Sequence, residues 1–317
     1  MSVRPTLTRA SVLIAAGLAA ALTLSACGSS SDPLATSSTA SAAASGSGSA
    51  SGGSIVIGSA NFPESALIAN IYAAALKAKG ADVSTNLNIG SREVYLKALQ
   101  DGSIDLIPEY SGNLLQYFDP TATAVSSDDV YTALVAKTPS GLKVLTKSAA
   151  EDKDAVVVTK ATADANNLKS IADLAPVAST FVLGGPPEWT TRPTGVPGLK
   201  EKYGLTFKEF KALDAGGPLT LGALTSDQIQ AGNLFTTDPS IPANNLVVLE
   251  DPKNLFAAQN VLPLINAAKS NPQVQAALDA VSAKLDTATL TELLTKVQVD
   301  KEDSAQVAQE WVAANLQ

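Results

Sequence analysis

Residues 55–76 read IVIGSANFPESALIANIYAAAL, and two different periodicities meet there at a proline. Ile55-Val56-Ile57-Gly58 is a short uninterrupted apolar run, the pattern of a strand covered on both faces. Pro63 suits the first turn of a helix, where a missing N–H costs nothing. Leu67, Ile71 and Leu76 then recur along one helical stripe, and Gly80 supplies the stop. A buried strand that feeds a helix is half of a βαβ unit, so this stretch predicts an α/β fold.

The same rhythm spreads outward. Val83, Thr85, Leu87 and Ile89 alternate as a half-buried strand; Ser91 can cap a helix that carries Val94, Ala98 and Leu99 and closes at Gly102. Residues 104–107 read as a strand, and Pro108-Glu109-Tyr110 leads to a short helix over Leu114–Phe118. Further strands are expected at 155–159, 180–183, 233–235 and 246–249, with helices at 170–174, 198–203 and 218–231. The C-terminus reads as three helices, over 274–285, 290–297 and 304–316. No internal repeat is visible. Strands alternating with helices imply mostly parallel sheets with helices on both faces. A single core stops growing near ~250–300 residues, so a folded body from Ser54 to Gln317 fits two lobes. Such folds bind ligands at the carboxyl ends of strands. Three loops are expected there: Ser59-Ala60-Asn61, Glu109 to Asn113, and Thr236-Thr237-Asp238.

The first 53 residues belong to something else. Arg4 and Arg9 precede an apolar run of 16 residues, Ser11 to Ala26, which is short of the ~20 that span a bilayer. It ends in Leu24-Ser25-Ala26-Cys27-Gly28. Small residues ahead of a Cys in that order resemble a bacterial lipoprotein signal, which implies cleavage after residue 26 and lipid attachment at Cys27. The alternatives are an ordinary secretory signal with a stray Cys and an uncleaved anchor. Residues 28–53 are almost wholly Ser, Ala and Gly and cannot bury enough surface to order themselves. A flexible coil of that length reaches roughly 30 Å, which suits a tether (27–53 with the Cys).

Composition closes several doors. Cys27 is the only cysteine and there is no histidine. A mature domain therefore has no disulfide, no thiol nucleophile, no Ser-His-Asp triad and no His-bearing zinc site. No cofactor or metal is expected. Net charge is −8, and loss of Arg4 and Arg9, with no acid, takes it to −10. That sign argues against nucleic acid or anionic headgroups as partners.

Five segments carry a family likeness: Ile55 to Ser65; Gly102 to Asn113 (GSIDLIPEYSGN); Pro187 to Leu199 (PEWTTRPTGVPGL); Phe235-Thr236-Thr237-Asp238; and Val248 to Lys253. In this order, over nearly the whole body, they resemble the glycine betaine/choline/carnitine-type substrate-binding proteins of ABC transporters. The resemblance implies a type II periplasmic-binding-protein fold in two lobes. One would be 54–152 plus 258–317 and the other 153–257, hinged by two chain crossings. It also implies a monomer on the outer face of the cell membrane, partnered by permease and ATPase subunits.

The family holds a quaternary ammonium in a cage of tyrosines and the carboxylate with basic and hydroxyl groups. Carried over by position, Tyr110 matches a cage tyrosine and Arg192 the carboxylate-binding arginine, whose planar fork suits bidentate pairing. Phe235 stands where the family has Tyr, Asp154 and Gln259 at two other cage tyrosines, Ala60 for a lysine, and Asn113 for a threonine. Asp152, in the same acidic run as Asp154, joins the ligand-binding candidates. Two aromatic faces enclose a trimethylammonium poorly. If Asp154 faces the pocket, it suits an amine bearing N–H groups, which a methylated one lacks. The expected ligand is thus a small cationic or zwitterionic nitrogen compound.

Each residue also has a plainer reading. Tyr110 could be a loop aromatic, Arg192 a surface residue paired with Glu188, and Phe235 sheet core. Glu151-Asp152-Lys153-Asp154 has the composition of a solvated turn. Trp189 fits packing, and Glu64 sits in a first helical turn, where a carboxylate complements the dipole. Two other functions stay open: a lipid-anchored sensory or adhesion module on this fold, and a hydrolase using carboxylates such as Glu109 or Asp238.

Overall fold

The computed structural model describes residues 53–316. The expected signal, Cys27 and nearly all of the tether lie outside the described residues. Ten strands form two five-stranded sheets. The first contains β1 (Ile55–Ala60), β2 (Val83–Gly90), β3 (Leu106–Tyr110), β4 (Leu142–Val144) and β10 (Val261–Asn266). The second contains β5 (Asp154–Thr159), β6 (Val182–Gly185), β7 (Glu209–Ala212), β8 (Ala231–Phe235) and β9 (Leu246–Val248).

The sheets have the same plan. The first is ordered β2-β1-β3-β10-β4 and the second β7-β6-β8-β5-β9. In the first, β1 pairs parallel with β2 and β3, while β10 runs antiparallel to β3 and β4. In the second, β6 pairs parallel with β7 and β8, while β5 runs antiparallel to β8 and β9. Each sheet thus has one reversed strand, the one the chain builds first after coming over from the other sheet. The sheets are mixed for that reason, where the strand–helix alternation pointed to parallel pairing. The duplicated plan has no counterpart in the sequence, which shows no repeat.

The two crossings, between β4 and β5 and between β9 and β10, are zipped together. The Asp152 N–H donates to the Gln259 carbonyl (3.1 Å) and the Val261 N–H to the Ala150 carbonyl (3.0 Å) around a Glu151–Asn260 antiparallel bridge.

Helix α1 (Pro63–Ala78) follows β1 with Pro63 in its first turn, as the sequence predicts. Its burial is wider than one stripe: Leu67, Ile68, Ala69, Ile71, Tyr72 and Leu76 are all sequestered. The C-terminal helices Pro272–Lys284, Thr287–Gln298 and Ser304–Asn315 explain this, because they lie against the side of α1 that the sheet leaves open and share its core. Each fully buried Leu or Ile there contributes roughly 1.5–3 kcal/mol.

Several boundaries differ from the sequence reading: the strand expected at 180–183, for one, runs Val182–Gly185, since Ala178–Thr180 form a 3-10 turn. The strand expected at 104–107 runs Leu106–Tyr110, held to its end by antiparallel pairing of Tyr110 with Val261. Helix α3 (Ser111–Phe118) starts at the next residue, so no loop spans 109–113. The helix expected over 218–231 ends at Thr225, because Asp227 takes a left-handed conformation (φ 57°) and turns the chain toward β8.

Candidate functional site

The carboxyl ends of parallel strands from both sheets converge on a cavity of about 250 Å³. The first sheet supplies Ala60, Asn61 and Phe62 after β1, Ser91 and Arg92 after β2, Tyr110 at the end of β3, and Asn113 in α3. Tyr95 joins them from helix α2 (Arg92–Gln100). The second supplies Pro186, Pro187 and Glu188 after β6, Leu213, Asp214 and Ala215 after β7, and Asn233 and Phe235 of β8. Asp152 and Asp154 enter from the first crossing. The cavity sits where the fold rule for α/β sheets puts it.

Three rings form its apolar part. Phe62 bridges the sheets, its centroid 5.9 Å from Tyr110 and 5.0 Å from Phe235. Tyr110 and Phe235 hold equivalent places, each the last residue of the strand next to the reversed one. Gly216 (φ +63°) backs Phe235 so closely that a Cβ there would come within 2.5 Å of the ring. Phe62 carries the strongest signal sequence reasoning missed: it lies two residues past the end of β1, in a βα turn, where ligands bind in such folds.

The Tyr110 hydroxyl is not free. It donates to Glu64 Oε1 (2.7 Å), while Thr237 Oγ1 donates to Glu64 Oε2 (2.5 Å) from the other half. Glu64 is buried and does more than complement a helix dipole. Asp152, also buried, accepts from the Thr237 N–H (3.1 Å) and Thr236 Oγ1 (3.2 Å). Burial, aided by the Glu64 charge, pushes the Asp152 carboxyl well above the usual carboxylate range; burial also raises Glu64, although bonds with Thr237, Tyr110 and Asp152 hold it back. Burial likewise pushes the Tyr110 hydroxyl well up.

Asp154 is only 6 % exposed and opens β5, so it is no solvated turn. It accepts from Asn113 Nδ2 (2.8 Å) on one oxygen and Asn233 Nδ2 (3.0 Å) on the other. Both asparagines line the cavity, and each leaves its buried Oδ1 without a partner. Gln259 does not line the cavity. It lies behind Asn113, accepting that residue's N–H at Oε1 (2.9 Å). Gly112 makes this approach possible, since a Cβ there would come within 2.6 Å of the Ala258 carbonyl oxygen.

Arginines face the cavity from both sides, and both are engaged. Arg92 grips Glu109 through Nε (2.9 Å) and Nη2 (2.8 Å), and Tyr95 Oη and the Tyr110 N–H complete that carboxylate. Burial opposes the Arg92 charge, but Glu109 more than offsets it and holds the guanidinium above its usual range. Arg192 grips Glu93, not Glu188, through Nε (3.1 Å) and Nη2 (3.0 Å) across the two halves. Partial burial works against the Glu93 charge, and the Arg192 pair overcomes it, lowering the carboxyl to about 2. Trp189 is core, stacked on Phe256 at 6.2 Å. Glu109 and Asp238 do not line the cavity, and no group of metal-ligating side chains occurs among the described residues.

Comparison with known proteins agrees with this architecture. The chain is 27% identical over 272 residues to the glycine betaine-binding protein YehZ of Escherichia coli (strain K12), covering 81% of this chain and 89% of that one. It is 26% identical over 270 residues to a glycine-betaine-binding protein of Pseudomonas aeruginosa, covering 81% and 86%. A solved glycine betaine/carnitine/choline ABC transporter structure superposes with a TM-score of 0.65 at 21% identity, over 82% of this chain and 98% of that one, and shows the type II fold. Residues 53–314 match the substrate binding domain of the ABC-type glycine betaine transport system. The chain belongs to that family, whose members bind solutes and are not enzymes.

Proposed function

We propose that the chain captures a small cationic or zwitterionic nitrogen compound between its two halves and delivers it, unaltered, to an ABC permease and ATPase. The halves are 54–152 with 258–317, and 153–257. The observation that carries this reading is the row of three aromatic rings, Tyr110, Phe62 and Phe235, at a cavity lined by Asp152 and Asp154. Aromatic faces attract cations by ~2 kcal/mol or more when desolvated, and the carboxylates add charge. Support for a non-catalytic role comes from the chemistry present. Glu109 is locked by four donors, and Asp238 lies off the cavity.

Among the described residues no helix is long and apolar enough to cross a membrane. The anchor in this reading is lipid on Cys27, with the folded domain working as a monomer at the outer face. A thermal-shift screen of amines, amino acids and betaines tests the proposal. A bound solute at 100 times its Kd adds about 2.7 kcal/mol of stability, and the ligand should be recovered unchanged. A screen with no shift for any compound would overturn the reading.

A further inference from the structure

Charge balance around the cavity separates ligand classes that the proposed function leaves together. Holding a ligand carboxylate is favoured by a base whose charge is not already matched. Both arginines at the cavity are paired with an acid through two of their five N–H groups, Arg92 with Glu109 and Arg192 with Glu93. No lysine among the described residues lines the cavity, and Ala60, which closes the first strand, brings no charge to it. By contrast, Asp152 and Asp154 line it with no lysine or arginine among the described residues in ion-pair distance.

Two of the residues that line the cavity also hold a buried acceptor that lacks a donor. Asp154 has only amide donors, and the amides that serve it leave Asn113 Oδ1 and Asn233 Oδ1 unpartnered, Asn233 being fully buried. Unpaired buried acceptors are costly unless a ligand donates to them. A trimethylammonium carries no N–H to give.

We infer that this site selects a net cation bearing N–H donors and no carboxylate, with Asp154, flanked by Asn113 and Asn233, as the residue that determines specificity. The inference rests on the proposed solute-binding role and narrows it. A zwitterion would bring a carboxylate to a cavity whose bases are occupied. A quaternary cation would satisfy the rings and leave the acceptors bare.

Protons give an independent readout. Asp152 faces Glu64 and Asp154, and Glu64 faces Tyr110, Asp152 and Asp238, all acidic groups. With Asp152 and Glu64 raised above their usual range, an arriving cation favours their ionised forms. Binding should therefore release protons, and affinity should rise with pH.

The test is calorimetric titration of the full chain with four matched compounds: ethanolamine, choline, glycine and glycine betaine. They vary charge and methylation separately. Ethanolamine should bind at least tenfold tighter than choline and than either zwitterion, with a heat that depends on buffer ionisation as protons leave. Tightest binding by choline or glycine betaine overturns the inference while leaving solute binding intact. Should none of the four bind, the class of whatever compound stabilises the protein in the wider screen decides in the same way. A screen with no binder removes the solute-binding reading itself.

Two variants separate specificity from structure. Asp154→Asn should weaken ethanolamine at least tenfold and spare glycine betaine, whereas a folding defect would weaken all ligands alike. Glu93→Gln frees the Arg192 fork and should raise affinity for glycine betaine; no gain there overturns the claim that the occupied arginines exclude carboxylates.

Discussion

The two sheets share one strand plan and differ in how they treat charge. In the first half, the acid beside the site is Glu109, next to last in β3, and it is fully satisfied by Arg92, Tyr95 and the Tyr110 N–H. In the second half, the acid beside the site is Asp154, paired in register with Phe235, and it has only asparagine amides. The first half also gains three C-terminal helices that thicken its core, while the second makes do with short helices and 3-10 turns. One topology thus sets an acid matched by a base beside the site in β3 and an electrically incomplete acid, Asp154, beside it in β5. The incompleteness faces the cavity, which is where a ligand can cure it.

That contrast can be broken by mutation. Glu109→Ala leaves the Arg92 guanidinium buried and unpaired, and should cost ~3–5 kcal/mol in chemical denaturation. Asp154→Ala removes a charge that no base was balancing, so its loss of stability should be clearly smaller. Equal losses would erase the distinction between the halves.

The rings sharpen the comparison at the next level. Tyr110→Ala and Phe235→Ala each remove one face of the aromatic ring set, and each should weaken binding of a cation by ~2 kcal/mol, close to thirtyfold in Kd. Tyr110→Phe keeps the face and loses only the bond to Glu64, so titration should show most of the affinity retained.

Acidity gives a gentler contrast, within the first half itself. A carboxyl raised on folding stabilises the native state fully below its unfolded value, and that contribution fades as pH rises through the folded value. Glu64 and Asp152 are raised, so the ligand-free protein should melt at a higher temperature when pH is lowered from 7 toward 5. Glu64→Gln should flatten that trend; an unchanged slope would remove Glu64 from the account. Glu93 has the opposite sign. Its stabilisation is present above the ordinary value of 4.5 and is lost as pH falls through about 2. Because that pair is partly exposed, Arg192→Ala should cost ~0.2–1 kcal/mol, and less at high salt. This is the smallest effect.

Much of the fold was legible because its signals are local. A buried strand, a proline and a helical stripe placed β1 and α1, and three apolar periodicities placed the C-terminal helices. The reversed strands β5 and β10 were not legible, since strand sense depends on where the chain comes from and leaves no mark on composition. The site was readable in part. Tyr110, Phe235, Asn113, Asp152, Asp154 and Arg192 all line the cavity, whereas Gln259 lies behind Asn113. What pattern could not supply was partnership. Arg192 meets Glu93 from 99 positions away, and Glu64 meets Thr237 from 173. Arg92 and Phe62 sit just past strand ends and could have been suspected from that alone.

The zipped crossings have a mechanical consequence. Two strands laced side by side flex readily about the line across the ribbon and resist sliding past one another. Ser111, Gly112 and Asn113 clasp residues 258–260 from the first half, which stiffens that end of the ribbon. Any opening should therefore resemble a book turning on its spine, with the crease falling toward Asp154 and the second half.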